Sequence, residues 1–189
     1  MKKIISTSLF ILALLATITL NSCKKDDDNG PQGSQKERNL SGTTSKKWKI
    51  TSVMATAPTA PTPYNLFTLD LYNNKIYAFG SEVSNPGLDI PKSEDCQKDN
   101  IWILYQNKTY EVMEGSTKCI GSDPDLITSG TWQLNSNETI LSLTDASGTI
   151  VEYQIQGLDQ KTLKGSTSGS FDYENQTIQY NAVTTFTAQ

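Results

Sequence analysis

From Lys46 to the end of the chain, apolar residues recur at every second position rather than every third or fourth. Successive side chains of a strand point to opposite faces, so this spacing selects strands over helices. In "IVEYQIQ", Val151, Tyr153 and Ile155 share one face while Glu152 and Gln154 take the other. The last run does the same, with Ile178, Tyr180, Ala182, Thr184 and Phe186 alternating with Gln179, Asn181, Val183 and Thr185. The pattern predicts strands over 46–55, 100–106, 109–114, 129–135, 139–144, 149–156, 161–171 and 177–187, separated by turns such as "NSNE" and "TDASGT". One apolar and one polar face per strand describes an antiparallel sheet wetted on one side. About eight strands linked as consecutive hairpins protect their edges by closing, which predicts an all-β, up-and-down antiparallel barrel.

Ala55 to Asp95 breaks this regularity, because it separates the first two barrel strands by far more than a hairpin loop. It opens on "TAPTAPTPY", whose prolines predict an extended, stiff exit from the first strand. The following "NLFTLDLYNNKIYAFG" is too apolar to hang in water and reads as a hairpin turning at Asn73-Asn74. Burial alone would make it a structural plug or an extra hairpin packed outside the barrel, whereas a resemblance to lipocalins and related barrels implies a lid over the mouth.

The chain of 189 residues has no histidine. That excludes Ser-His-Asp and Cys-His catalysis and histidine-ligated zinc or iron. Among 20 acidic residues a glycosidase-type carboxylate pair is conceivable, but nothing in the spacing singles one out. Asp123 and Asp125 in "GSDPDL" could touch a cation, yet Asp-Pro-Asp is first of all turn chemistry. The expectation is a non-enzymatic protein with no metal and no cofactor. The formal charge is −4, and an acidic chain argues against nucleic acid and against attraction to an anionic membrane surface.

The N-terminus supplies an address. Met1, Lys2 and Lys3 precede a short apolar block, "LFILALLA", too brief and too diluted by Ser and Thr for a spanning helix, which is the layout of a secretory signal. Leu20-Asn21-Ser22-Cys23 resembles the lipobox of bacterial lipoproteins. That resemblance implies cleavage before Cys23 and acylation of it, palmitate among the chains. Two or more acyl chains anchor stably. "KKDDD", Lys24 to Asp28, resembles the lysine-plus-acidic signal that carries some lipoproteins to the outer face of the outer membrane. Residues 24–45 hold almost nothing apolar and read as a flexible tether. The expected organisation is a signal peptide at 1–22, a lipidated tether at 23–45 and one barrel domain at 46–189.

Cys96 and Cys119 flank the hairpin "IWILYQNKTYEVME" almost evenly. Folding the hairpin brings them together, and export favours a disulfide over two buried thiols.

"DCQKDNIWILYQNKTYEVMEGSTKC" followed by "GTWQL" and "TILSL" resembles the lipocalin-like domain family of bacterial surface and outer-membrane lipoproteins. "KKWKITSV" is similar to the family's first strand, with Trp48 at its tryptophan position. The resemblance implies a small β-barrel or calyx. Trp48, Tyr110, Trp132, Tyr153, Tyr180 and Phe186 are predicted to point inward, as walls of a site for a small apolar or amphipathic ligand or simply as core. Two functions follow as expectations: a ligand-binding lipoprotein held at the membrane by its lipid, or a filled barrel contacting a surface protein or glycan.

Overall fold

The computed structural model describes residues 33–84, 94–121, 124–173 and 176–189, with only the backbone described at 171–173. The signal segment, Cys23 and "KKDDD" therefore lie outside the described residues, as does Asp123.

Among the described residues, eleven strands form one antiparallel sheet. They are β1 (Ser45–Thr56), β2 (Phe67–Asp70), β3 (Lys75–Ala78), β4 (Ser81–Val83), β5 (Ile101–Tyr105), β6 (Thr109–Met113), β7 (Leu126–Leu134), β8 (Ile140–Asp145), β9 (Ile150–Leu158), β10 (Thr162–Tyr173) and β11 (Gln176–Ala188). Each of β5 to β10 pairs with the next in the chain, β5 also pairs β1, and β11 pairs β1 from Trp48↔Ala188 to Thr56↔Asn181. These eight strands close a barrel, and all eight coincide with predicted strands to within a few residues.

The period-two pattern sets the core. Trp48 and Phe186, Leu141 and Leu143, Tyr110 and Val112, Tyr153 and Leu163 are all buried, each on the inward face of its strand. Burying such side chains contributes about 1.5–3 kcal/mol each. β1 is long enough to serve two neighbours along one edge: Ser45–Lys49 pair with β5, and Met54–Thr56 pair with β2.

The 55–95 insertion thus continues the sheet. β2 and β3 form the expected hairpin, turning through Leu71–Asn74 with Asn74 at φ 57, and β3 pairs onward with β4. Asp70 holds the turn by accepting from the backbone N–H of Tyr72 and Asn73 and from Asn73 Nδ2. Ile76 is buried and its inward neighbours align with Ala55 through Leu69, so the hairpin builds an extra sheet segment of the structural kind. The proline run is not extended, in contrast to the expectation. Bonds Ala60 N–Ala57 O, Tyr64 N–Pro61 O and Leu66 N–Pro63 O close three successive turns. The fixed φ of proline suits a turn as well as an extended chain, and the turns bring Phe67 back to β1.

The predicted tether is also in part structured. Helix α1 (Gln35–Ser41) starts at a capping box, with Ser34 Oγ accepting from Glu37 N and Glu37 Oε2 accepting from Ser34 N. Leu40 and Ser41 are buried. The compact unit accordingly begins ahead of Lys46. A second short helix, α2 (Asp95–Lys98), carries Cys96.

Candidate functional site

Up-and-down topology sorts the connections onto two ends of the barrel. α1, the β5–β6, β7–β8 and β9–β10 turns and the start of β1 share one end. The 55–95 insertion, the disulfide and the β6–β7 and β8–β9 connections share the other.

α1 closes its end by polar contacts to the β5–β6 and β7–β8 turns, and Lys46 of β1 bridges it to the β9–β10 turn. Lys36 Nζ donates to the Glu138 carbonyl, and Lys108 pairs with Glu37. Lys46 Nζ donates to the carbonyls of Asn39 and Gln160. Trp48 Nε1 donates to the Leu40 carbonyl at 2.8 Å, one of the C-terminal carbonyls that a helix leaves without an intrahelical donor. Lys108 lies over the Trp132 ring at 4.1 Å and Lys46 over the Trp48 ring at 5.2 Å. Lys108 holds Glu37 below the ordinary carboxylate value, while burial lowers Lys46.

Five of the six predicted inward aromatics, Trp48, Tyr110, Trp132, Tyr153 and Phe186, belong to one buried cluster. Tyr180 faces inward but only half-buried, between Ile178 and Ala182 nearer the opposite end, its hydroxyl over Gly169. Trp102 escaped the sequence reading, though "IWILY" places it on the inward face opposite Trp48. Its ring stacks on Tyr110 and meets Phe186 edge-on at 5.8 Å, and Phe186 meets Tyr153 edge-on at 5.6 Å. Between the rings of Trp48, Trp102, Tyr153 and Phe186 and the side chains of Leu104, Leu141, Leu143 and Leu163 is a cavity of about 10 Å³. That is room for a single water molecule, beside walls with nothing to hydrogen-bond it. Burial raises both Tyr153 and Tyr110, so neither phenol is poised as a base.

The opposite end differs in chemistry. Cys96 and Cys119 are joined there, Cα atoms 5.0 Å apart, tying α2 to the segment after β6. Asp99 Oδ2 accepts from Ser116 Oγ and Thr117 N, which hold its carboxyl below the ordinary value. Asp125 pairs with Lys118. No cluster of three or more potential metal ligands occurs among the described residues. The exposed large apolar side chains described, Leu66, Phe79, Ile120, Leu126, Ile127, Ile150 and Val151, all lie toward this end. Phe79 stands out, 88% exposed at the β3–β4 turn and in the left-handed conformation at φ 51. An aromatic residue there is uncommon in conformation as well as in exposure.

The fold and these ends define a closed eight-stranded antiparallel β-barrel with an added three-stranded segment and, among the described residues, a packed aromatic cluster toward its α1 end. Comparison of the chain with protein-family models, curated proteins and solved structures finds no match.

Proposed function

We propose that this chain is a lipid-anchored, non-enzymatic surface lipoprotein of lipocalin-like type, whose barrel is a solid scaffold displaying a docking surface for another surface protein. The observation that carries the reading is the packed aromatic cluster around the one small cavity described. A cavity of about 10 Å³ compares with the roughly 300 Å³ or more of a small-molecule pocket. A ligand inside would have to break the ring contacts among Trp102, Tyr110 and Phe186. The exposed apolar side chains instead gather at the end away from α1, where apolar area offers a protein partner more than it offers a glycan. The lipobox-like "LNSC" supports the anchor.

Cross-linking on intact host cells tests the docking surface. The wild type should give a defined cross-linked partner, and the double variant Phe79→Ser/Ile150→Ser should lose it while keeping the same circular dichroism. Identical cross-links in both proteins, or a small apolar molecule retained by the native protein in mass spectrometry, would overturn the reading. For the anchor, Cys23→Ser should release the protein from the membrane fraction; unchanged fractionation refutes it.

A further inference from the structure

The acidic composition conceals a charge separation along the barrel axis. Toward the end with the insertion, Lys75, Lys98 and Lys118 are the lysines described, and each is ion-paired, to Glu82, Asp95 and Asp125. Asp70, Glu94, Asp99, Glu114 and Asp145 add further carboxylates there. The α1 end is the reverse.

On the barrel wall at that end, two strands flanking β11 present lysines on one outward face. β1 contributes Lys47 and Lys49, flanking inward Trp48. β10 contributes Lys164, with Lys161 in the turn just before it. β11 runs between them, and its Thr187 pairs with Lys49 while its Thr185 pairs with Lys164. Lys47, Lys161 and Lys164 are exposed and Lys49 is partly so. Among the described residues none of these four is in a salt bridge. Lys36 and Arg38 of α1 add two more cations. Against them stand Glu37, already paired with Lys108, Glu111, two strands from Lys47 on the same outward row and accepting from the Tyr105 hydroxyl, and the turn residues Glu138 and Asp159.

This is also where the chain leads to its N-terminus. The described chain begins at Gly33, beside α1, ten residues after Cys23, a span of at most about 36 Å when fully extended. We infer that the face formed by Lys47, Lys49, Lys161 and Lys164 seats the barrel on a phosphate-bearing anionic lipid surface, with the apolar end directed away from it. The inference goes beyond the proposed docking function, which uses the opposite end. It revises what net charge alone implies: within a Debye length of about 8 Å a surface meets the local cations, not the sum over the chain.

The test uses the mature chain carrying Cys23→Ser, so that no acyl chain contributes and its outcome is independent of acylation. Co-sedimentation is measured at low salt with vesicles of phosphatidylcholine alone and with phosphatidylcholine containing one third phosphatidylglycerol. The protein should partition onto the anionic vesicles only and be released by high salt. Lys47→Gln/Lys164→Gln should weaken partitioning at least about tenfold, from roughly fivefold per lysine. Lys75→Gln, at the other end, should change it less than about twofold. Matching circular dichroism confirms that the variants fold. Equal binding to neutral vesicles, no binding at low salt, or an equal loss with Lys75→Gln would overturn the inference. So would a preference for soluble polyphosphate over vesicles, which assigns the face to a soluble polyanion.

Discussion

The indole of Trp48 donates to the carbonyl of Leu40 at 2.8 Å, and both residues are fully buried. One bond thus fastens the first helix to the first barrel strand, and it makes α1 part of the barrel. Leu40→Ala should lower unfolding free energy by about 3 kcal/mol, the usual cost of emptying a leucine site. A chain beginning at Lys46 should be destabilised at least as much, whereas one beginning at Gly33 should match the full mature protein. Urea denaturation followed by tryptophan fluorescence compares them.

Cys96 and Cys119 close a loop with a sequence separation of 23. In the loop-entropy account such a closure contributes about 3 kcal/mol. Cys96→Ala/Cys119→Ala should therefore lose about that much while retaining the barrel. Non-reduced peptide mapping should show the linked pair in exported protein, and two alkylatable thiols there would contradict the bond.

Acid should loosen the α1 end. Lys108 is the largest cause holding Glu37 below its ordinary value of 4.5, with Ser34 N–H adding to it. A folded-state value below the unfolded one means that the stabilisation is present above 4.5 and is lost as pH falls through the folded value. Asp159, held down by the N–H groups of Lys161 and Thr162, acts in the same direction. The urea midpoint should be level above about pH 5 and fall below it. Glu37→Gln should lower the neutral midpoint and flatten part of the acid slope; an unchanged profile would show that the Lys108 pair contributes nothing.

The barrel was legible because alternation writes the inward face directly: Trp132, Leu141, Leu143, Tyr153 and Phe186 are buried where the period places them. α1 was not, because a seven-residue helix with one buried leucine has no periodicity to detect. Its local signal was Ser34-x-x-Glu37, a capping box within a segment whose polarity suggested a tether. The docking end was illegible for another reason. Phe79, Ile120 and Ile150 are far apart in sequence, and only barrel closure with alternate turns brings them toward one end. The lysine face is hidden likewise, since Lys49 and Lys164 come onto one face only through β11, whose Thr187 and Thr185 pair with them.

Gly130, in the "GTW" of β7, offers the sharpest test of the packing. A Cβ built there would lie 2.0 Å from the Thr144 carbonyl oxygen and 2.9 Å from Asp145 Cα, both backbone atoms of β8. Backbone cannot rotate aside, so accommodating a methyl group means parting the strands where Gly130 pairs with Asp145. Trp132, two residues on, is anchored by its Nε1 to the Tyr105 carbonyl at 2.9 Å and would be pulled with the strand. The glycine thus permits the close approach that positions the tryptophan. Gly130→Ala should cost about 3 kcal/mol or more, at the upper end for overpacking. Gly157→Ala is the matched control, because a Cβ there meets nothing within 4 Å, and it should change stability by less than about 0.5 kcal/mol. Equal urea midpoints for the two variants would mean that β7 and β8 do not approach as closely as this pairing requires.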